Sequence, residues 1–385
     1  MRTLISFILF LTVFFTLYGL LHYYLYRKLT HALTVTPPYH ALILVFFLLM
    51  LLAPVLVNIF AKQGSNMSAT FLAHIGYTWM GALFLFFSIH LLIDIYQGSV
   101  HLLSKTSLQI PTALNPGNKI SFLFAVLLSI GIIIYGSFEA KSPKAETLVL
   151  KTKKLPPGVN SFRIVQISDI HFSTINGVSL ARKIVEKIER LDPDILVSTG
   201  DLTDRGLNEK ERVIDLFKGL KAPYGKYAAT GNHEFYTGIN RATEFTESAG
   251  FRMLRNEGIE VAGLVNIAGV DDPAAKRFGL DANVSESALL GKFSNKKLTI
   301  LLKHRPMLSE KSKGLFDLQL SGHLHKGQIF PFSLITSLLF PYHDGLFKLE
   351  GHSYLYVSRG TGTWGPPVRF LARPEITLIE FRRIE

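Results

Sequence analysis

The stretch Arg163-Ile-Val-Gln-Ile-Ser-Asp-Ile-His171 joins a short apolar run, typical of a β-strand, to two metal-binding side chains. The same pattern recurs along the second half of the chain, where apolar runs end in Asp, Asn or His. The residues concerned are Asp169, His171, Asp201, Asn232, His304, His323 and His325. Imidazole, carboxylate and amide groups at one edge of successive strands are typical of a site for divalent cations. The pattern therefore predicts a metal site carried by a sheet.

The chain around these residues alternates between strand-like and helix-like segments. Apolar residues at helical spacing occur at 180–191 and 212–220, between the first strand-like runs. Strands that alternate with helices early and follow one another later indicate an α/β layered domain. The strand-like runs are 163–168, 194–199, 226–230, 265–270, 298–303, 318–321, 354–358 and 376–381.

The first 140 residues have a different composition. Four runs without Asp, Glu, Lys or Arg, at 4–21, 41–60, 71–93 and 120–138, are each about as long as a membrane-crossing helix. Buried helices of soluble proteins rarely stay uncharged for that length. The first run lacks a small-x-small cleavage site, which favours retention over removal as a signal peptide. We therefore predict a membrane region with about four helices at 1–140, a basic linker at 141–154 and a domain at 155–385.

Two histidines, His74 and His90, lie inside the third apolar run. Ionisable groups within a membrane are functional candidates, although neutral histidine is the mildest of them. No acidic residue lies at matching depth in the other runs. We therefore expect these histidines to serve helix packing or hydrogen bonding rather than transport.

The formal charge of +12 could indicate either a nucleic-acid partner or basic residues that flank membrane helices. Nucleic acid is disfavoured as a partner because the basic residues flank the apolar runs instead of forming a patch interleaved with aromatics. The lysine cluster after the fourth run predicts that the N-terminus and the C-terminal domain face the cytoplasmic side of a cell membrane.

Since the chain has no cysteine, disulfides, thiolate zinc sites and a cysteine nucleophile are excluded.

The ordered motifs D-x-H, G-D, G-N-H-E, H and G-H-x-H resemble those of the calcineurin-like metallophosphoesterase superfamily, from about Leu148 to the C-terminus. The tail at 358–369 and Gly269-Val-Asp-Asp-Pro273 are similar to a membrane-associated bacterial subgroup. The resemblance implies two packed β-sheets flanked by helices, in a four-layer αββα arrangement. It also implies hydrolysis of a phosphate ester or pyrophosphate by metal-activated water.

The resemblance further implies a role for each motif residue. Asp201 would bridge two divalent ions, and imidazole with oxygen ligands suits Mn, Fe, Zn or Co. His233 would not bind metal but would protonate or stabilise the leaving oxygen, with Glu234 as a residue that could orient it. The first ion would be held by Asp169, His171 and His325, and the second by Asn232, His304 and His323.

The substrate is less well defined by the sequence. Attachment to a lipid bilayer favours a lipid-linked phosphate or pyrophosphate as the substrate. A nucleotide or nucleic-acid phosphodiesterase and a metal-binding sensor or transport-associated protein remain alternatives, and the sequence predicts no oligomeric state. The uncharged segment 330–342 is either a lip beside the active site that enters the membrane interface or part of the core.

Overall fold

The computed structural model describes residues 2–63, 66–105, 116–280 and 284–384. The chain divides into two compact units. One consists of Met1–Ser137 with Gly365–Val368, and the other of Phe138–Trp364 with Arg369–Glu385.

Within the described residues, four helices are long and apolar enough to cross a membrane, as the sequence predicts. Many of their leucines and phenylalanines are exposed at the protein surface, for example Leu9 and Phe10 at about three fifths of their area. In a lipid bilayer such a surface contacts hydrocarbon instead of water. The helices are α1 (Arg2–Ala32), α2 (Pro37–Lys62), α3 (Asn66–Leu103) and α4 (Asn118–Ala140).

A polar cluster connects α1 to α3. Asp94 lies 2.6 Å from the Nζ atom of Lys28 and accepts a 2.6 Å hydrogen bond from the hydroxyl of Tyr24. The same carboxylate lies 3.3 Å from Nδ1 of His90. The acidic partner of His90 thus comes from the same helix rather than from another run, because Asp94 follows one helical turn later, just beyond the apolar run.

The second unit contains two six-stranded sheets among its described residues. The first sheet has the order β1-β12-β2-β3-β4-β5 and the second β10-β11-β9-β8-β7-β6. The strands of the first sheet are β1 (Lys144–Thr152), β2 (Ser161–Ile167), β3 (Ile195–Ser198), β4 (Lys226–Ala228), β5 (Arg252–Met253) and β12 (Glu375–Arg383). Those of the second are β6 (Glu257–Val261), β7 (Val265–Gly269), β8 (Leu298–Leu302), β9 (Leu318–Ser321), β10 (Gly345–Lys348) and β11 (Tyr354–Val357).

Helices cover the outer faces of the sheets. The apolar face of α5 packs with α6 and α8 on the first sheet, and α9 packs on the second. The inner faces of both sheets share one apolar core. This arrangement confirms the predicted four-layer αββα fold. The helices are α5 (Val178–Leu191), α6 (Lys210–Lys218), α7 (Asn232–Thr237), α8 (Ile239–Ser248), α9 (Glu286–Leu290) and α10 (Phe332–Leu339).

Parallel pairing places the predicted metal ligands at one edge of the domain. In the first sheet β2, β3 and β4 run parallel, and in the second β7, β8 and β9 do so. The carboxyl ends of parallel strands lie at the same sheet edge, where sites in such folds form. The loops that leave these strands can therefore converge.

Every predicted strand-like run overlaps an observed strand, but the predicted linker is wrong. Lys144–Thr152 forms β1, which pairs in parallel with β12 along its whole length. Its apolar residues at 148–150 are flanked by lysine, glutamate and threonine, and only Leu150 is buried. A strand at the edge of a sheet tolerates such charges because one face and one side meet water.

Candidate metal centre

The predicted ligands all lie in loops or helix starts just beyond strand ends. Asp169 and His171 follow β2, and Asp201 follows β3. Asn232 opens α7 after β4, His304 follows β8, and the last two histidines follow β9. The two sheets thus contribute ligands from facing edges.

The first group consists of Asp169, His171 and His325, whose ligand atoms all lie within 4.8 Å of one another. The Nε2 atoms of the two histidines are 3.1 Å apart, and Nε2 of His325 is 3.6 Å from Oδ1 of Asp169. All three residues are buried. They form the trio that the resemblance assigns to one ion.

The second group consists of Asp201, His304 and His323, again within 4.8 Å of one another. Nε2 of His304 lies 3.2 Å from Oδ2 of Asp201, 3.1 Å from Nδ1 of His323 and 3.2 Å from Oδ1 of Asn232. Oδ2 of Asp201 is also 3.7 Å from Nε2 of His171. Asp201 therefore lies between the two groups, where a bridging carboxylate would have to be.

These separations fit two bound cations. Neighbouring ligands of an ion with bonds of about 2.1 Å lie roughly 3.0–3.4 Å apart in octahedral or tetrahedral geometry. His304 Nδ1 lies 2.9 Å from the carbonyl oxygen of Thr199, and His171 Nδ1 lies 3.0 Å from Asp204 Oδ2. When both Nδ1 atoms donate, the Nε2 lone pairs are free for a cation, as metal-binding histidines require.

The electrostatic environment acts in opposite directions on the pKa values of the two histidines in the second group. Burial lowers the pKa of His304, but the carboxylate of Asp201 raises it to about 10. Burial, together with the positive charges of His304 and Arg305, lowers the pKa of His323 to about 3. Without metal, His304 is thus held as a cation by the carboxylates, whereas His323 stays neutral and ready to bind.

Five of the predicted ligands have backbone conformations that side-chain-bearing residues seldom adopt. Such left-handed geometry costs about 1–3 kcal/mol per residue and is concentrated at functional sites. β2 ends at Ile167, so the D-x-H pair is positioned by left-handed turns rather than by the alternation of side chains along a strand. The φ angles are 54° at Asp169, 53° at His171, 52° at Asp201, 74° at His323 and 48° at His325.

Two glycines allow the loops to approach this closely. A Cβ atom at Gly200, where φ is +101°, would overlap the backbone of Gly231, and one at Gly322 would overlap the carboxylate of Asp169. The glycine before Asp201 is thus required because two loops cross there.

His233 lies in the first turn of α7, beside both groups. Its backbone N–H donates to Oδ1 of Asp201 at 2.8 Å, and its Nδ1 is 2.5 Å from Oδ1 of Asp204. Burial lowers the pKa of His233, but the carboxylates of Asp201 and Asp204 raise it to about 9. The ring is therefore protonated at neutral pH in the metal-free chain.

Asp204 is a residue that the sequence reasoning missed. Its two oxygens accept from Nδ1 of His171 and Nδ1 of His233, so one carboxylate orients a predicted ligand and a predicted acid. The two histidines lower the pKa of this carboxyl, although burial opposes them. The only signal in the sequence is its position three residues after Asp201.

Glu234 has a different partner from the one expected. Its carboxylate accepts from the backbone N–H groups of Asp201, Leu202 and Gly231, at 2.9, 2.8 and 2.6 Å. The expectation that Glu234 orients the His233 ring is therefore wrong. Glu234 instead joins the loops after β3 and β4.

The comparisons with known proteins agree with this geometry. The model of the calcineurin-like phosphoesterase family matches residues 162–327. An uncharacterized metallophosphoesterase of Aquifex aeolicus is 36% identical over 64% of this chain and 95% of its own length. The chain is a calcineurin-like metallophosphoesterase.

Two further metallophosphoesterases show how far the similarity extends. A Campylobacter jejuni protein, also named an uncharacterized metallophosphoesterase, is 28% identical over 98% of this chain and 99% of its own. A Danio rerio protein named as a transmembrane protein with a metallophosphoesterase domain is 32% identical over 68% of this chain and 62% of its own. The chain thus spans less than two thirds of that vertebrate relative.

Membership has direct consequences for the site. A metallophosphoesterase is a phosphoric ester hydrolase, and the family depends on two metal ions. The chain presents clustered His and Asp side chains that suit such ions. The four apolar helices, together with the transmembrane relative, indicate a membrane protein.

The metallophosphoesterase site also contains a buried arginine near the C-terminus. Arg369 is fully buried and donates from Nη1 to the carbonyl oxygens of His325 and Arg359, both at 2.8 Å. Its Nη2 atom lies 2.8 Å from Nδ1 of His325. The tail that the sequence analysis singled out therefore supports the loop that carries a predicted ligand.

Proposed function

We propose that this metallophosphoesterase is a membrane-anchored enzyme that hydrolyses a lipid-linked phosphate ester or pyrophosphate. The observation that carries the proposal is the arrangement of two ligand groups that share Asp201 and lie beside His233. The chemistry that two such ions supply when bound is to lower the pKa of water and to offset the charge of the phosphate.

The proposed division of ligands follows the two groups. Asp201 would be the shared ligand, because its Oδ2 atom lies 3.7 Å from Nε2 of His171 in the first group and 3.2 Å from Nε2 of His304 in the second. Mn, Fe, Zn and Co are the proposed ions, since four imidazoles suit them better than Ca or Mg. Asp169, His171 and His325 would hold the first ion, and Asn232, His304 and His323 would hold the second.

His233 is the proposed general acid. The hydrogen bond to Asp204 fixes Nδ1 and leaves Nε2 as the nitrogen that can donate to a leaving oxygen. The side chain is 14% exposed, so it is accessible yet oriented. Asp204 stabilises the protonated ring until the proton is transferred.

The membrane placement supports the substrate class. Residues 141–143 alone separate α4 from β1, and three extended residues span roughly 10 Å. The chain therefore enters the phosphoesterase domain directly after a helix that is apolar enough to cross a membrane. We place this domain at the cytoplasmic face of the cell membrane, because the lysines that follow α4 favour that side.

A nucleotide is the second candidate substrate. A cavity of about 480 Å³ is lined by Arg205, Tyr236, Arg241 and Phe278 among others. The ring of Tyr236 lies 5.5 Å from that of His233. Two guanidinium groups and two aromatic rings suit a phosphorylated, planar leaving group, whether free or part of a lipid diphosphate.

The test is a substrate panel on the full chain, reconstituted in nanodiscs with Mn²⁺. Polyprenyl pyrophosphate, phosphatidic acid and nucleoside diphosphates are compared, with Asp201→Asn as the blank. We expect the highest kcat/KM for a lipid-linked compound. A nucleotide that is cleaved faster than every lipid would favour the second candidate substrate. Full activity in the Asp201→Asn variant would contradict the proposed site.

A further inference from the structure

The helix α10, next to the metal centre, has its apolar side chains on the outside. Leu338 is 87% exposed, Leu339 70%, Leu334 55% and Ile335 48%. These residues are three or four positions apart, so they form one face of the helix. In a domain surrounded only by water, such a face would pack inward.

Two of the three polar residues of α10, Ser333 and Thr336, lie on its inner side, whereas Ser337 is exposed. Thr336 is buried, and its hydroxyl lies 2.6 Å from Nε2 of His343. The backbone of Ser333 lies so close to Gly327 that no side chain would fit there. The orientation of the helix is therefore fixed by close packing and a hydrogen bond. The sequence left open that 330–342 belongs to the core. That alternative does not hold for the exposed face formed by Leu334, Ile335, Leu338 and Leu339, which we call the leucine face.

The leucine face is joined to the metal centre by a short path. One 3₁₀ turn, His325–Gly327, carries the last predicted ligand and leads into α10 within four residues. At the other end, the ring of Phe340 lies 6.2 Å from that of His323. A molecule held against α10 therefore lies beside the phosphate site.

A second loop extends the same apolar surface. The backbone of Phe370 pairs with Phe330 and with Gln328, at 3.1 and 3.0 Å. Trp364, in this loop, is 55% exposed, and its ring lies 5.8 Å from that of His233. Large apolar side chains thus surround the centre near both a predicted ligand and the proposed acid.

The charge pattern favours a lipid over a protein or nucleic acid as the occupant. No charged residue lies between Phe330 and Tyr342, and the adjacent Lys326 is paired with Asp344 at 2.9 Å. The lysine therefore does not offer an unpaired cation to a phosphate or headgroup. A bilayer is already within reach, because α4 ends three residues before β1. An exposed leucine face on a domain held beside a membrane is stabilised by entering its interface.

We propose that α10 inserts its leucine face into the bilayer interface and delivers the lipid-linked end of the substrate to the metal centre. The choice of substrate rests on the proposed function, whereas the insertion itself does not. Leu334, Ile335, Leu338 and Leu339 contact acyl chains, and the phosphate that they anchor reaches the ligand groups at the adjacent loop.

Insertion is tested without any activity measurement. Because the chain has no cysteine, Leu338→Cys introduces a single labelling site for bimane in the full chain. The matched control is Glu189→Cys on α5, which is exposed but lies on a polar helix face. In phosphatidylcholine nanodiscs with brominated acyl chains, we expect bimane at 338 to be quenched at least twofold more than at 189. Equal quenching at the two positions would overturn the insertion.

Delivery is tested with Leu338→Ser/Leu339→Ser, compared with Val149→Ser, an exposed apolar residue in β1. We expect the double variant to lose about tenfold in kcat/KM with the lipid-linked substrate and to retain the rate with p-nitrophenyl phosphate. An equal loss with both substrates, or no loss with either, would overturn delivery. If no lipid is cleaved by the unaltered chain, the proposed substrate fails, while the quenching result still decides the insertion.

Discussion

Replacement of Asp204 by Asn tests whether this carboxylate orients the rings of His171 and His233. In the unaltered chain the carboxylate accepts from Nδ1 of both His171 and His233. An amide of the same shape offers one acceptor oxygen, and its NH₂ group would face the second imidazole N–H. One of the two rings must therefore lose its partner, change its protonation state or rotate.

The size of the effect follows from the lost bond. A hydrogen bond to a charged group contributes about 1.5–3 kcal/mol, and the variant retains one neutral bond in place of two charged ones. At about 1.4 kcal/mol per tenfold change, losing one such bond lowers kcat or metal affinity by roughly 10- to 100-fold. Loss of a group that orients a metal-binding histidine has a similar measured range.

The assay compares Asp204→Asn, His233→Ala and the double variant. Turnover of p-nitrophenyl phosphate and bound Mn²⁺ are measured on the full chain. Because Asp204 acts on turnover partly through His233, we expect the double variant to be less impaired than the product of the single effects. If the two losses multiply, or if Asp204→Asn keeps full activity, Asp204 does not orient His233.

Three further predictions concern the same centre. His233→Ala should lower kcat by at least roughly tenfold while metal content is unchanged, as measured by elemental analysis, because His233 is the proposed acid and not one of the proposed ligands. Removal of metal with a chelator should lower the melting temperature, and Mn²⁺ should restore it, since ions that bind only the folded state stabilise it. In the metal-free chain, the pKa of His233 is raised to about 9, so its stabilising contribution is complete below about pH 6.5 and is lost as pH rises through 9. Melting temperatures of unaltered and His233→Ala protein between pH 6 and 10 should therefore differ in slope, and parallel curves would contradict the raised pKa.

The candidate metal ligands could be identified from the sequence because their signal is local, and the fold brings their side chains together. Each ligand follows a buried apolar run, so strand ends could be recognised without knowledge of the partners. The groups that orient the ligands carry no such signal. Asp204 and Arg369 act through contacts with residues that lie 29–44 positions away in the sequence, which only the fold reveals.

The strands that the sequence did not predict were missed for a different physical reason. β1 is an edge strand whose lysines and glutamate face water, so its composition is that of a linker. β5, β6 and β10 have two to five residues and few buried side chains, which gives no readable periodicity. Sequence patterns report burial, and these elements are held mainly by backbone pairing.

Glu234 shows why neighbours in sequence are poor guides to partners in a site. As the third residue of α7 it lies beside the helix start, where N–H groups lack intrahelical acceptors. Its carboxylate therefore satisfies backbone groups of two loops, one of which carries Asp201. His233, one residue earlier, projects in another direction, toward a carboxylate supplied by the loop after β3. The loop 201–204 thus both carries the proposed bridging ligand and orients the proposed acid, so a shift of that loop should disturb metal binding and proton donation together.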